Sequence, residues 1–371
     1  MNLVILGRRW EHHTPAGGYD RLAQYLDGDL VSPRPIRGAI PGVARSLFRR
    51  FNRVDKYLVD YRLEDLVAEL RIARMAMRGG ADLVHCLYGD EQLDLLLRWR
   101  RRLRCPLMAS FHLPPSRIRD RFEVFHKRHL RGLDAAAVVS RSQIENFQEW
   151  FGERVFYIPH GINTGAFTPA EHREPGNGTL KLLTVGECMR DWEVLHRVID
   201  ACADRSLEVE FDVVLPEWRR SHLTGCRNTR LHTGISEEAL LGLYRGADAL
   251  LLPVVEATAN NAVLESLACG TPVISTHVGG IPDYVDESCG WMLPPGDSDA
   301  MADLISHLCE NHHLAAEKRE AARARSLDFS WPVIAEAFHR LYSSLLAGKR
   351  PERAVYNPGG RFQTFALPVR E

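Results

Sequence analysis

Short apolar runs alternate with longer amphipathic stretches along the whole chain. In the first half the runs fall at residues 2–7, 82–87, 106–111, 135–140 and 155–159. In the second they fall at 180–186, 209–215, 230–233, 249–253 and 272–276. They are rich in Val, Leu and Ile, with little alternation of apolar and polar positions. Strands buried on both faces of a parallel sheet read this way. Stretches such as 237–246 and 262–268 have the spacing of helices that cross between parallel strands. The pattern predicts an α/β chain made of two doubly wound, Rossmann-like domains in tandem. Residues 168–179, with two Pro, two Gly and polar neighbours, read as the linker. A last helix at 331–346 precedes a tail containing Pro and Gly.

Length agrees with that division, since 371 residues make two domains of ordinary size. A chain that is 45% hydrophobic and 26% charged is an ordinary globular one, which excludes a disordered, collagen-like or coiled-coil protein. No apolar run approaches the roughly 18 residues of a membrane span. The first residues, MNLVILGRRWEHH, put the charge after a short apolar run, the reverse of a secretory signal. The expectation is a cytoplasmic protein. Eight cysteines occur with no C-x-x-C pair, so they read as reduced, mostly buried thiols rather than a zinc site or disulfide framework.

A net charge of −1 hides an asymmetry: residues 1–168 carry 27 Lys and Arg against 19 Asp and Glu, and residues 169–371 carry 20 against 29. Either the halves face different partners, or solvated faces simply vary. Within 41–69, Val43, Leu47, Phe51, Val54 and Leu58 recur at helical spacing among Arg45, Arg49, Arg50, Arg53 and Lys56. Such a stripe either lies on an anionic membrane surface or packs on its own core.

Five segments carry candidate chemistry. PAGGYD at 15–20 follows the first strand, where Gly17 and Gly18 let backbone approach a ligand and a following helix at 21–26 favours an anion. It is not G-x-G-x-x-G, so a dinucleotide site is not indicated. His112, in SFHLPP, lies just past the carboxyl end of a strand, where ligands bind in open α/β sheets. VGECMRDW at 185–192 places Gly186 and Arg190 at a strand-to-helix turn; Arg190 either grips a phosphate or pairs with Glu187 or Asp191. LPVVEATANNAVLESLACGTPVI at 252–274 contains the strongest set. There Glu256 and Glu265 flank a helix start with Thr258 as the N-cap and Asn260 and Asn261 in the turn. That helix dipole suits a diphosphate, and the carboxylates suit sugar hydroxyls. VGGIPDYV at 278–285 and CGWMLPPGD at 289–297 follow, the first with a Gly-Gly turn at a strand end.

The last two sets together resemble the donor-site signature of retaining glycosyltransferase family 4, the group 1 glycosyltransferases with the GT-B fold. LESLACGTPVIST, VGGIPDYV and CGWMLPPGD carry the likeness, with Gly17-Gly18, His112, PHGIN at 159–163, ISEEAL at 235–240 and LYRGAD at 243–248. The likeness runs from residue 2 to about residue 346.

It implies two Rossmann-like domains facing across a cleft: an acceptor-binding domain at 1–168 and a nucleotide-sugar-binding domain at 169–328. A crossover helix and tail at 329–371 would return to the first domain. It implies a retaining transfer of a sugar from a nucleotide diphosphate sugar, UDP- or GDP-linked, to an acceptor hydroxyl on a glycan, lipid or small molecule. Neither metal nor cofactor is expected, so the Asp27-Gly-Asp29 and Asp297-Ser-Asp299 segments read as ordinary turns. Glu265 would hold the ribose, His112 would contact the donor sugar, Gly18 would bring its backbone near the phosphates or the acceptor, and Gly17 and Gly186 would line the donor site. Nucleic acid is not an expected partner; peripheral membrane contact through the basic half is.

Two positions depart from the family pattern. The first acid of its pair falls on Ala257, with Glu256 one place earlier, and the phosphate-gripping lysine is absent, leaving Arg190. The alternative these departures raise is a non-catalytic GT-B scaffold or sugar-nucleotide sensor.

Overall fold

In a computed structural model of the chain, the described residues are 1–9, 16–35, 61–123, 127–172, 178–348, 354–357 and 361–364. The central part of the 168–179 linker and most of the basic stripe at 41–69 lie outside them. The chain forms two compact units. One draws on Met1–His13, Gly18–His160 and Pro332–Glu371; the other on Thr14–Gly17 and Gly161–Trp331.

The first unit contains a six-stranded sheet: β1 (Leu3–Leu6), β2 (Gly28–Val31), β3 (Leu83–Cys86), β4 (Leu107–Phe111), β5 (Ala135–Val138) and β6 (Val155–Tyr157). All neighbours are parallel, in the order β2-β1-β3-β4-β5-β6. The second contains β7 (Leu180–Val185), β8 (Val209–Val214), β9 (Thr229–His232), β10 (Ala249–Leu252), β11 (Val273–Thr276) and β12 (Gly290–Leu293). These too are all parallel, in the order β12-β11-β10-β7-β8-β9. Each unit is therefore a doubly wound α/β sheet. The chain reverses its winding between β1 and β3 in the first unit and between β7 and β10 in the second. Ligands of open α/β sheets bind at the carboxyl ends of the strands at such a reversal.

Ten of these twelve strands answer to the apolar runs. The two that do not, β2 and β12, are edge strands, each beginning with Gly and each with only one fully buried residue. A strand covered on both faces shows a continuous apolar run; β2 and β12, mostly uncovered, are not among the runs, although the edge strand β9 is. The last helix, Trp331–Leu346, belongs to the first unit from Pro332 onward. Backbone at Ala354–Asn357 and Arg361–Thr364 adds an antiparallel hairpin.

Helix faces follow from residue spacing. In the first unit, α1 (Leu63–Met77) buries Ala68, Ile72, Ala73 and Ala76, but also Asp65 and Glu69. In the second, the helix Trp192–Asp204 buries Val194, Leu195, Val198, Ile199 and Cys202 against Leu180, Phe211 and Val213 of the sheet. Each fully buried Val, Leu or Ile contributes roughly 1.5–3 kcal/mol. Asp191 caps this helix, its carboxylate accepting the Val194 N–H at 3.0 Å. Asp297 does the same for the helix Ser298–Glu310, accepting from Ala300 at 2.9 Å.

The eight cysteines are free thiols, five of them buried; Cys188 is exposed, in the turn beside Arg190. No described helix is long and apolar enough to cross a membrane.

Candidate active site

In the second unit, the reversal between β7 and β10 gathers most of the candidate residues. The turn after β7 starts at Gly186, which has φ +82, a left-handed conformation that a side chain would strain. A Cβ there would also stand 3.1 Å from the Arg190 guanidinium. Arg190 folds back over this turn. Its Nε donates to the Val185 carbonyl at 3.0 Å, its Nη1 to the Cys188 carbonyl at 2.9 Å and its Nη2 to the Val185 carbonyl at 2.5 Å. A guanidinium has five N–H donors, so two remain for a ligand. Desolvation lowers Arg190 to about 10, which still leaves it cationic at neutral pH.

Two backbone bonds lash this turn to the segment after β10: Asp191 N–H to the Pro253 carbonyl at 2.9 Å, and Val255 N–H to the Met189 carbonyl at 3.0 Å. The side chain of Val255 is 59% exposed, Glu256 is half-buried and Ala257 is buried. Asn260, rather than Thr258, is the N-cap of the helix Asn261–Ala268: its Oδ1 accepts the Ala262 N–H at 3.0 Å. Thr258 is buried instead. The Gly-Gly turn packs on the same loop, with the Gly280 N–H on the Ala257 carbonyl at 2.9 Å.

Glu265 lies on that helix, 6% exposed, and accepts the Tyr244 hydroxyl at 2.8 Å. Burial pushes its carboxyl up to about 7; Glu237 adds to the rise, while Tyr244 and Arg190 oppose it. The Glu237 carboxylate also accepts the Ala16 N–H at 2.9 Å, so the short stretch with Ala16 and Gly17 groups with this unit. Among the described residues, no three His, Cys, Asp or Glu side chains converge as a metal ion would require.

The first unit presents a different set at its own reversal. Gly18 has φ 94 and opens the short 3-10 turn Tyr19–Gln24, where a regular helix at 21–26 was the expectation. His112 follows β4. Its backbone N–H donates to Asp90 Oδ2 at 2.6 Å, the Leu113 N–H donates to Asp90 Oδ1 at 3.2 Å, and His112 Nδ1 lies 3.3 Å from the same carboxylate. Asp90 is 2% exposed, and a buried network holds its loop. Arg121 donates to the carbonyls of Asp90 and Gln92, Gln92 donates to Asp65, and Glu69 accepts the N–H groups of Leu93 and Leu96. The Tyr19 ring stands edge-on to His112 at 4.2 Å, the Tyr88 ring lies at 5.2 Å and His160 at 6.2 Å.

His112 and Gly18 thus sit in one unit; Gly186, Arg190, Glu256, Asn260, Asn261 and Glu265 sit in the other. Sequence reasoning did not single out Tyr244, Glu237, Asp90 or Tyr19. Tyr244 and Glu237 lie inside motifs quoted for the resemblance, and Tyr19 adjoins Gly18. Asp90 had no local signal.

Two doubly wound parallel sheets, each with polar residues at its reversal, form the architecture of the GT-B class, and structural comparison agrees. The chain superposes on sucrose-phosphate synthase from Thermosynechococcus elongatus with a TM-score of 0.70 and 19% identity, covering 94% of this chain and 100% of that one. It superposes on Anabaena HepE, solved with UDP-glucose, with a TM-score of 0.65 and 15% identity, covering 93% and 100%. Likeness at this identity shows the fold. Two family models match consecutive segments, Glycosyltransferase Family 4 over residues 23–166 and Glycosyl transferases group 1 over residues 179–311. The chain belongs to the family 4, group 1 glycosyltransferases.

A relative, D-inositol 3-phosphate glycosyltransferase of Corynebacterium jeikeium, is 39% identical over 223 residues, 53% of each chain. MMP alpha-(1->4)-mannosyltransferase of Mycolicibacterium hassiacum is 24% identical over 311 residues, 75% of this chain and 74% of that one. The chain spans about half the length of the first of these relatives.

Proposed function

We propose that the protein moves a sugar from a nucleotide diphosphate sugar to an acceptor hydroxyl, with retained anomeric configuration and no metal. The observation that carries this reading is Glu265: a buried carboxylate on the first turns of a capped helix, aligned by the Tyr244 hydroxyl at 2.8 Å. An ionised carboxylate accepts two vicinal hydroxyls, as a ribose offers them. Arg190, with two donors left, and the amides at Gly186, Gly17 and Gly18 stabilise the departing diphosphate. The dipole of the helix that Asn260 caps and Asn261 begins adds to that stabilisation. Glu256 contacts sugar hydroxyls.

Loss of the diphosphate leaves an oxocarbenium-like sugar, and the departing phosphate oxygen accepts the acceptor's proton. His112, held by Asp90 and the Tyr19 ring, stabilises the sugar during that step. The donor is a UDP- or GDP-sugar. The name of the first relative, which prints an inositol 3-phosphate, and the basic first half favour an acceptor that carries negative charge. The groove on α1 lined by Val67, Leu70 and Met75 with Arg71, Arg74 and Arg78 suits peripheral contact with an anionic bilayer.

A panel of UDP-, GDP- and ADP-sugars tests the reading through thermal shift and donor hydrolysis, since a ligand of the folded state raises the melting temperature. Stabilisation by none of them would remove it. A second reading, a sugar-nucleotide sensor without turnover, rests on the three Arg190 bonds to backbone carbonyls. Binding without hydrolysis or transfer would favour it.

A further inference from the structure

Behind His112, the first unit contains a chain of four buried polar side chains. Tyr342, on the closing helix Trp331–Leu346, has its hydroxyl 2.6 Å from His85 Nδ1. His85 Nε2 lies 2.8 Å from the Ser110 hydroxyl. That oxygen accepts the Tyr19 hydroxyl at 3.1 Å, and the Tyr19 ring stands against His112 at 4.2 Å. Tyr342, His85 and Ser110 are 0% exposed and Tyr19 is 1% exposed. His85 and Ser110 interrupt β3 and β4, strands otherwise made of apolar residues and Cys86. Burying four polar groups in a core costs stability unless all are bonded, and an apolar set of similar shape would avoid that cost.

We propose that His85 is a positioning residue for His112: through Ser110 and Tyr19 it fixes the ring that sets the His112 imidazole, and Tyr342 ties this setting to the closing helix. A neutral imidazole offers one donor and one acceptor, which suits a hydroxyl on each side. Burial keeps His85 in that form, lowering it to about 3. It also raises the Tyr19 and Tyr342 hydroxyls far above their ordinary range. The chain therefore carries no charge at neutral pH. Its role is to orient, and no proton need move along it. A loose ring beside a reacting centre loses the alignment on which transfer depends.

The inference rests on the proposed role of His112 in transfer, and the test separates the two. Four full-length variants serve: Y342F, S110A, H85L, and H85Q, which keeps a neutral donor and acceptor. Donor hydrolysis and the ring resonances of His112, observed by NMR on histidine-labelled protein, are measured for each. Y342F and H85L are expected to lower kcat about tenfold, with donor KM unchanged within about twofold. They should also shift or broaden the His112 resonances, because the Tyr19 ring current no longer stays fixed. H85Q should restore most of both, and S110A, which removes only one hydroxyl, should reproduce the loss if H85L fails to fold. Wild-type kcat and unmoved His112 resonances in Y342F and S110A would overturn the proposal. Moved resonances in a protein that turns over no donor would uphold the positioning and refute the catalytic role of His112.

Discussion

The two units share a winding plan and differ in what they place at its reversal. Past the carboxyl ends of β1, β3 and β4 stand aromatic rings, His112 and a buried carboxylate that orients backbone N–H groups. Between β7 and β10 stand a carboxylate, a guanidinium and a helix N-terminus. One set is shaped to hold a ring at a fixed angle; the other carries the groups that, in the proposed function, answer the hydroxyls and negative charge of a nucleotide. The same architecture thus supplies one surface for orientation and one for affinity, and fold alone would not tell them apart.

If that division is right, variants in the two sets fail differently. His112→Ala should cost about 10²–10³ in kcat, as loss of one group that stabilises developing charge does elsewhere. Donor affinity in a titration should stay within a few-fold; an equal loss in both constants would break the contrast. Glu265→Ala should do the reverse, weakening donor binding about 100-fold in calorimetry through two lost charge-assisted hydrogen bonds.

A third test uses pH. Burial raises Glu265 from 4.5 to about 7, and binding that needs its ionised form weakens as pH falls below that value, by up to about tenfold per unit. Glu265→Gln should flatten this dependence. Stability runs the same linkage with opposite signs in His85 and Glu265. His85 is lowered from 6.5 to about 3, so its contribution is present above 6.5 and is lost as pH falls towards 3. Glu265 contributes below 4.5 and loses that contribution as pH rises through about 7. Glu69 and Glu91, both raised to about 8, share the Glu265 sign in the first unit. The readout is therefore the difference between wild type and H85Q in urea melts at pH 5 and pH 7, not the total slope. The smallest expected effect is Asn260→Ala: loss of the N-cap should cost about 1 kcal/mol of stability, with His112 undisturbed.

The sequence was legible where burial is uniform. Strands covered on both faces announce themselves, whereas β2 and β12, exposed on one side, do not. Glu265 and Asn260 were visible because a helix start, its cap and its acid lie within a few residues. The chain behind His112 was not, because its members are brought together by tertiary packing: His85 and Tyr342 are 257 positions apart. A faint mark existed all the same, in the His85 and Ser110 that break two otherwise apolar runs. Choosing Thr258 over Asn260 as the cap shows the limit on the other side: both residue types cap helices, and only the path of the loop decides between them.

Gly279 has a practical consequence for anyone who would redesign the loops beside Glu265. Its φ is +52, and a Cβ there would fall 2.0 Å from the Ala257 carbonyl oxygen. No other amino acid fits without pulling apart the two loops that meet at Ala257 and Gly279, so a library that randomises this position would consist mostly of misfolded clones. Val255, on the same stretch and largely exposed, is where diversity can be introduced at little structural cost.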